Sequence, residues 1–427
     1  QEKLRCYPLI PIEESKSDEA LRRYEFIQKF LKESKQFGAQ RRESEKKAVN
    51  TALENLSITM GFMDVNRMTW YLESEKIDEI RPFMEPQTVE GVELWIEINE
   101  HGDAELVISK NGKRQKTLPK TLAKNETVLV LRTMVKDLKE QKRRAKESLE
   151  RSMVDRVSFR SEELVKISGN PVLAPMLLSL VWTADGKNGF LKKAEDELVL
   201  CDKDGCMYTL ADNVRVAHPH DLMSTHEWAS YMQLLYENKL VQPFKQVFRE
   251  YYPITVEERQ EKTISRRYAG HQVQPKQTVA LLKSKGWTVD YEEGLQKVFY
   301  NENLIVRMYA LADWFSPADV EAPTLEIVQF YDRNTGKTVD LESVPPILFS
   351  ETMRDLDLVV SIAHVGGVDP EASHSTVEMR IAIAKELLRL MKVTNVEFVG
   401  SHAKVSGTLG KYSVHMGSGV VHVEAKG

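Results

Sequence analysis

The chain has little cysteine, no long apolar run and no surplus of positive charge. Three cysteines in 427 residues, at positions 6, 201 and 206, exclude a disulfide-stapled scaffold. No stretch approaches the ~20 apolar residues that a membrane span needs. The longest apolar segments, such as Val172 to Trp182, are short and interrupted. No basic segment leads into an apolar one at the start, so no secretory signal is visible. A net charge of −5 opposes a nucleic-acid footprint spread over the whole protein. There is no P-loop, no H-E-x-x-H, no G-x-S-x-G and no dinucleotide fingerprint. Ser401-His402 and Gly417-Ser418-Gly419 do not make a nucleophile elbow, and no acidic residue can be assigned as the third member of a triad. Internal repeats and low-complexity segments are missing too. These absences leave a cytoplasmic protein as the expectation. The chain starts at Gln1 rather than Met, which points to the remainder of a longer parent chain upstream.

What is present is an ordinary globular composition, 42% hydrophobic and 29% charged, in a chain long enough for two or three domains. Leu21, Tyr24, Ile27 and Leu31 recur at helical spacing, and Ala48, Ala52 and Leu56 continue a second helical pattern. From 92 to 118 the period changes to two. Leu94, Ile96 and Ile98, then Leu106 and Ile108, alternate around turn signals at Glu100 to Asp103 and at Asn111-Gly112. Residues 127–153 read as one amphipathic helix with Leu131, Val135, Leu138, Ala145, Leu149 and Met153 as its stripe. Its other face carries Lys139, Lys142, Arg143, Arg144, Lys146 and Arg151 among Asp137, Glu140, Glu147 and Glu150. That interleaving predicts i,i+4 pairs on a solvated face rather than phosphate contacts.

Short strands are expected at 180–182, 197–200 and 207–210, a helix over 224–238, and a charged surface loop over 251–275. A helix over 277–285 and strands at 304–312 and 325–331 follow. Ser375-Thr376-Val377-Glu378 fits a capping box for a last helix, and strands are expected at 396–399, 403–405 and 412–423. The fold class is therefore α+β. A helical lead over 1–87 is expected, as the end of a larger upstream helical region. A mixed α/β region with β-meanders spans 88–250, and an α+β domain spans 251–427, where a C-terminal sheet carries a packed helix.

Candidate chemistry is sparse. Cys201 and Cys206 flank Asp204-Gly205, with His218 and His220 further along. The Asp-Gly pair reads as a hairpin turn, so no metal site is expected. Arg354-Asp355-Leu356-Asp357 precedes the apolar run Leu358-Val359-Val360, read either as acidic residues leading into a buried strand, where they could hold a metal or act as a base, or as helix capping and structural ion pairing with Arg354. Tyr412, Ser413, Val414 and His415 precede Met416 and Gly417-Ser418-Gly419. Glycine lets the backbone approach an anion, and His415 could move a proton beside it; the other reading is a bulge or turn with a hydrogen-bonded structural histidine. These two segments are expected to form one polar, anion-binding site from Arg354, Asp355, Asp357, Tyr412, His415 and Ser418. Arg354 would bind the anion through its planar fork. A third group, Arg266, Arg267, Tyr268, His271, Gln272 and Lys276, combines basic and aromatic residues and reads either as an exposed loop or as an anion contact.

At these residues a resemblance emerges. Lys110 to Lys113 with Leu118-Pro119, Pro171 through Trp182, Ala217-His218-Pro219 with Leu222, Gln242 to Glu250, Phe349 to Asp357 and Tyr412 to Gly419 resemble the C-terminal domain of unknown function in the bacterial molybdate metabolism regulator (MolR-like) family. Asn170 stands where that family often has a histidine, His364 to Gly367 replace a different turn, and the segment up to Glu378 is shorter. No shared site is carried over to 364–378. The resemblance implies a regulatory role in metal-oxyanion metabolism. Some relatives carry a Trp-Gly-Arg module linked to nucleic-acid ends; that tripeptide does not occur here.

Two functions stay open on these residues. One is a regulatory or interaction domain recognising an anion or nucleic acid. The other is an enzyme acting on a phosphorylated or nucleotide substrate. Cofactors and partners stay unknown on these residues, with no membrane partner expected.

Overall fold

The computed structural model describes residues 1–12, 16–62, 64–194, 197–210, 212–290, 294–310, 323–363, 374–408, 410–417 and 419–424. Contacts cluster into two compact units, residues 1–217 with 241–244, and residues 218–240 with 245–427.

In the first unit, α1 (Glu2–Cys6), α2 (Lys16–Glu33) and α4 (Val65–Ile80) pack on α3 (Ala39–Met60). Ala20, Ala48 and Ala52 are small enough for close helix approach, and Tyr24, Ile27, Leu56 and Leu72 fill the seam. Gly61, at φ 77, ends α3 as a left-handed cap. Asp64 starts α4 by accepting a hydrogen bond from the Arg67 amide at 3.0 Å.

The expected meander follows as β1 (Gln87–Val89), β2 (Val92–Ile98), β3 (Ala104–Lys110) and β4 (Lys113–Arg114), paired antiparallel in that order. Gly102 in the β2–β3 turn has φ 74, and a Cβ there would come within 2.4 Å of the Val172 carbonyl oxygen, so no larger residue fits. The long helix is α5 (Glu126–Val154), capped by the Asn125 side chain. Its stripe residues Leu131, Leu138 and Leu149 join Leu94, Ile96 and Trp182 in one core.

After α6 (Ser161–Ser168) and α7 (Ala174–Ser179) come β5 (Val181–Ala184), β6 (Lys187–Ala194), β7 (Glu197–Cys201), β8 (Met207–Thr209) and β9 (Arg215–Val216), in the order β8-β7-β6-β5-β9. Strand β6, with Lys192 and Lys193 in its pattern, was not expected from sequence. Between β7 and β8, Asp202 Oδ1 accepts hydrogen bonds from the amides of Asp204 and Cys206, each at 2.9 Å. That is the turn the Asp-Gly pair predicts.

The second unit begins with α8 (Pro219–Ser224), α9 (Trp228–Glu237) and α10 (Val256–Glu261). A five-stranded antiparallel sheet is built from β10 (Ile264–Ser265), β11 (Thr288–Asp290), β12 (Gly294–Phe299), β13 (Leu304–Ala310) and β14 (Leu325–Asp332), in the order β10-β14-β13-β12-β11. Helix α11 (Pro275–Ser284) packs on α12 (Pro346–Ala363), and α13 (His374–Leu390) leads to a final sheet. That sheet runs β15 (Val396–Val399), β16 (His402–Gly407), β17 (Gly410–His415), β18 (Val421–Glu424). Its pairing places Phe398 against Ala403, Val405 against Tyr412 and Val414 against Val421. One face is therefore apolar throughout, while Lys404, Ser413 and His422 share the other.

Three expectations are corrected here. Arg354 to Asp357 do not lead into a strand; they lie inside α12. Phe349, Met353, Leu356, Val360 and Ala363 are all buried, and their alternating spacing of four and three is helical. The 251–275 stretch is not a surface loop. Thr255 caps α10 through a capping box, and Tyr252, Tyr268 and His271 are buried. The strand expected over 412–423 is two strands, separated by a turn in which the Gly419 amide donates to the His415 carbonyl at 2.7 Å. The capping box at Ser375-Thr376 rests on side chains outside the described residues, as do His364 to Gly367 and Ser418.

Candidate functional site

Helix α12 carries the polar chemistry of the second unit. It is apolar on most sides, yet Ser350, Glu351, Thr352, Asp355 and Asp357 are buried with its apolar residues. Buried carboxylates persist where they are paired and hydrogen-bonded.

Glu351 sits in the centre of one such cluster. The Arg249 guanidinium grips it at both oxygens, with Nε to Oε1 at 2.7 Å and Nη2 to Oε2 at 2.6 Å. The His218 ring lies against the same carboxylate, with Nε2 3.1 Å from Oε1. His218 also starts α8: its Nδ1 accepts from the His220 amide at 3.1 Å, and its own amide donates to Asp221 at 2.8 Å. Because Nδ1 accepts, the ring proton of the neutral imidazole sits on Nε2 and points at Glu351. Beside it, His220 Nδ1 and the Tyr251 hydroxyl are 2.9 Å apart.

His218, Arg249 and Glu351 are 0%, 2% and 4% exposed. Burial holds the His218 pKa below its ordinary range, against the pull of Glu351. Burial alone would raise Glu351, but the charge and hydrogen bonds of Arg249, with those of His218, outweigh it and hold the carboxyl well below its usual range. The cluster is thus a neutral histidine on an ionised Arg–Glu pair, closed to solvent. Its chemistry is cohesion between α8, the 245–252 segment and α12.

The residues singled out from the 354–357 run fan out around the same helix. Arg354 Nε pairs with Glu250 at 3.3 Å. Burial would raise the Glu250 pKa, but Lys245 and then Arg354 outweigh it and leave it lowered. Asp355 accepts from Trp287 Nε1 at 2.9 Å and from Lys297 Nζ at 3.2 Å. Asp357, two residues on and so just over half a turn away, accepts from the buried Tyr252 hydroxyl at 2.9 Å. The pKa of that tyrosine is pushed up by burial first, then by Tyr268 and Asp357.

Asp357 is also the member of the run that is tied to the glycine-rich turn. Arg380, on α13, donates from Nη2 to Asp357 Oδ2 at 2.9 Å and to Ser361 Oγ at 3.1 Å. Its Nη1 donates to the Gly417 carbonyl. The two segments are therefore joined through an arginine that the sequence reading did not single out. His415 is buried on the polar face of the last sheet, its ring 4.9 Å from that of His402. Tyr412 is half-buried on the opposite face, and Ser418 lies outside the described residues.

The basic and aromatic group at 266–276 is divided: Arg267, Tyr268 and His271 turn inward, while Arg266, Gln272 and Lys276 are exposed. Arg267 Nη2 donates to Glu258 at 2.6 Å and to the Pro253 carbonyl at 2.7 Å, with its guanidinium near the Tyr252 and Phe349 rings. The Tyr268 hydroxyl donates to the Met353 carbonyl at 2.9 Å. Arg266 stays exposed, 3.8 Å from Glu261. Arg267 and Tyr268 thus organise the loop before α11. Among the described residues, no group of three or more His, Cys, Asp or Glu side chains is placed to hold a metal ion.

Three family matches fall on the chain. Residues 112–287 are similar to a domain of unknown function, DUF4132. Residues 1–72 are similar to a family of unknown function, DUF5724, and residues 377–427 to a further domain of unknown function, DUF7737. No curated protein and no solved structure matches the chain. No described helix is long and apolar enough to cross a membrane.

Proposed function

We propose that this chain is a regulatory or interaction domain that recognises an anion, not an enzyme. The observation that carries the reading is the dispersal of the acid and base groups on α12. Arg354, Asp355 and Asp357 turn to three different protein partners, and Glu351 is closed off by Arg249 and His218. A catalytic acid or base needs a face toward a substrate atom, and these groups spend theirs on the fold.

An anion is a better fit than nucleic acid. The chain is net negative, and Lys142, Arg143 and Arg144 of α5 are paired with Asp103, Glu147 and Glu73. Neutralised side chains release few counterions from a phosphate backbone. The resemblance to molybdate metabolism regulators supports the regulatory reading.

Mass spectrometry of small molecules that co-purify with the full chain tests this. An anionic compound recovered in stoichiometric amount, and unchanged after incubation with the protein, is the expected result. Conversion of that compound to a product would overturn the reading in favour of an enzyme.

A further inference from the structure

The first unit contains a cavity of about 340 Å³ between α2, α4 and α5. At its base the buried Glu73 carboxylate accepts from the Tyr24 hydroxyl at 3.0 Å and from Arg144 Nη2 at 2.6 Å, both on Oε1. Burial raises the Glu73 pKa above its ordinary value even with Arg144 beside it.

Two donors in the same wall have no protein acceptor among the described residues. Gln141 is 5% exposed, and its Nε2 is buried without a partner; so is Nε of Arg144. The two residues are three apart on α5 and therefore share a face. Buried donors in folded proteins are almost always satisfied, and two orphans about one helical turn apart on a lining helix mark a place for an acceptor.

The rim adds to this. Its carboxylates Glu25 and Asp137 are each held by a lysine, Lys76 and Lys32. Lys29 reaches its nearest carboxylate, Glu33, at 4.0 Å, so its ammonium is loosely committed. The wall is completed by Gln28 and by the apolar Ile80, Met134 and Leu138.

We infer that this cavity binds a small organic anion, a carboxylate or phosphate monoester. Its head would accept from Gln141 Nε2 and Arg144 Nε, and its compact apolar body would lie against Met134 and Leu138. The volume is at the small end for ligand pockets and admits neither a duplex nor a folded partner. The inference rests on the anion-recognition reading above and gives it a site and a ligand class.

Titration calorimetry on the full chain, with benzoate, phenyl phosphate and the neutral benzyl alcohol as probes, tests it. The wild type should bind at least one anion, with benzyl alcohol weaker by about tenfold or more, the worth of a charged hydrogen bond. Benzoate against phenyl phosphate tells which head group the site takes. Gln141→Leu removes the orphan donor and should weaken anion binding by about tenfold while leaving the melting temperature unchanged or higher. Met134→Trp fills the apolar half and should abolish binding. Anion binding that survives both substitutions overturns this site and leaves the anion reading standing elsewhere on the chain. Binding of neither anion overturns both.

Discussion

Arg249 and Glu351, separated by 102 residues in sequence, meet fork to fork inside the protein, with donor–acceptor distances of 2.7 and 2.6 Å. Neither group has meaningful access to water. Each therefore depends on the other for the solvation it lost on folding. Arg249→Leu leaves the Glu351 charge with His218 alone and should destabilise the second unit by about 3–5 kcal/mol. The double variant Arg249→Leu/Glu351→Leu, which removes both charges, should be less destabilised than Arg249→Leu. Urea unfolding followed by fluorescence checks the order; equal losses would contradict it.

Acid should act on the same cluster in two stages. The His218 pKa is lowered in the folded state. Below the ordinary histidine value of about 6.5, the unfolded chain takes up a proton that the folded ring refuses, so stability falls as pH drops. The groups facing the ring are Glu351, Arg249, Asp221, His220 and Tyr251. Glu351 is also depressed; its stabilisation is complete above the ordinary carboxylate value of about 4.3 and is lost as pH falls through its lower folded value. Urea midpoints measured from pH 7.5 to 4 should decline first between about 6.5 and 5. His218→Asn, which keeps a capping acceptor, should flatten that first decline.

Arg380 joins α12 to the last sheet through Asp357, Ser361 and the Gly417 carbonyl. Arg380→Met keeps an apolar stem but takes the donor away from all three acceptors. A local cost of about 1–3 kcal/mol is expected, concentrated in β17 and the turn after it. Hydrogen exchange should show faster amides there, with the amides of β13 and β14 unchanged. Uniform acceleration across the unit would mean that Arg380 supports the whole core.

On α5, Lys139 and Lys146 are exposed. The double reversal Lys139→Glu/Lys146→Glu should change stability by no more than about 0.5 kcal/mol. Gel-shift assays at low salt should detect no duplex or single-strand binding in either form. Binding that the reversal abolishes would show that this face contacts nucleic acid.

Much of the architecture was legible because its periods are clean. Leu131 to Met153 is a helical stripe, and Leu94 to Ile98 alternates as a half-buried strand does. Helix α12 was misread at Leu358-Val359-Val360 because it is buried on nearly every side. A helix with no solvated face shows little amphipathic contrast, and three apolar residues in a row then look like a strand. The candidate site was less legible for a different reason. His218, Arg249 and Glu351 each stand in segments that drew notice, but nothing local says that they touch. A usable signal was Glu351 itself, a charge between Phe349 and Met353 where the pattern demands burial. Gln141 gave the same kind of signal, a polar residue next to the apolar stripe of α5. Arg380 gave none, since an arginine on a helix that precedes a sheet is ordinary until the fold shows what it reaches.

The His218–Glu351 contact closes a loop of 133 residues, and this has a kinetic meaning. Long-range closure is entropically costly before its contacts form. A polar lock that needs α8, Arg249 and α12 already in place is expected to form on the native side of the folding barrier. Its loss would then speed unfolding while leaving refolding nearly untouched. The two arms of a stopped-flow chevron for Glu351→Gln separate these effects. The cluster would then act as a brake on escape from the native state, setting how long the unit survives more than how fast it is made.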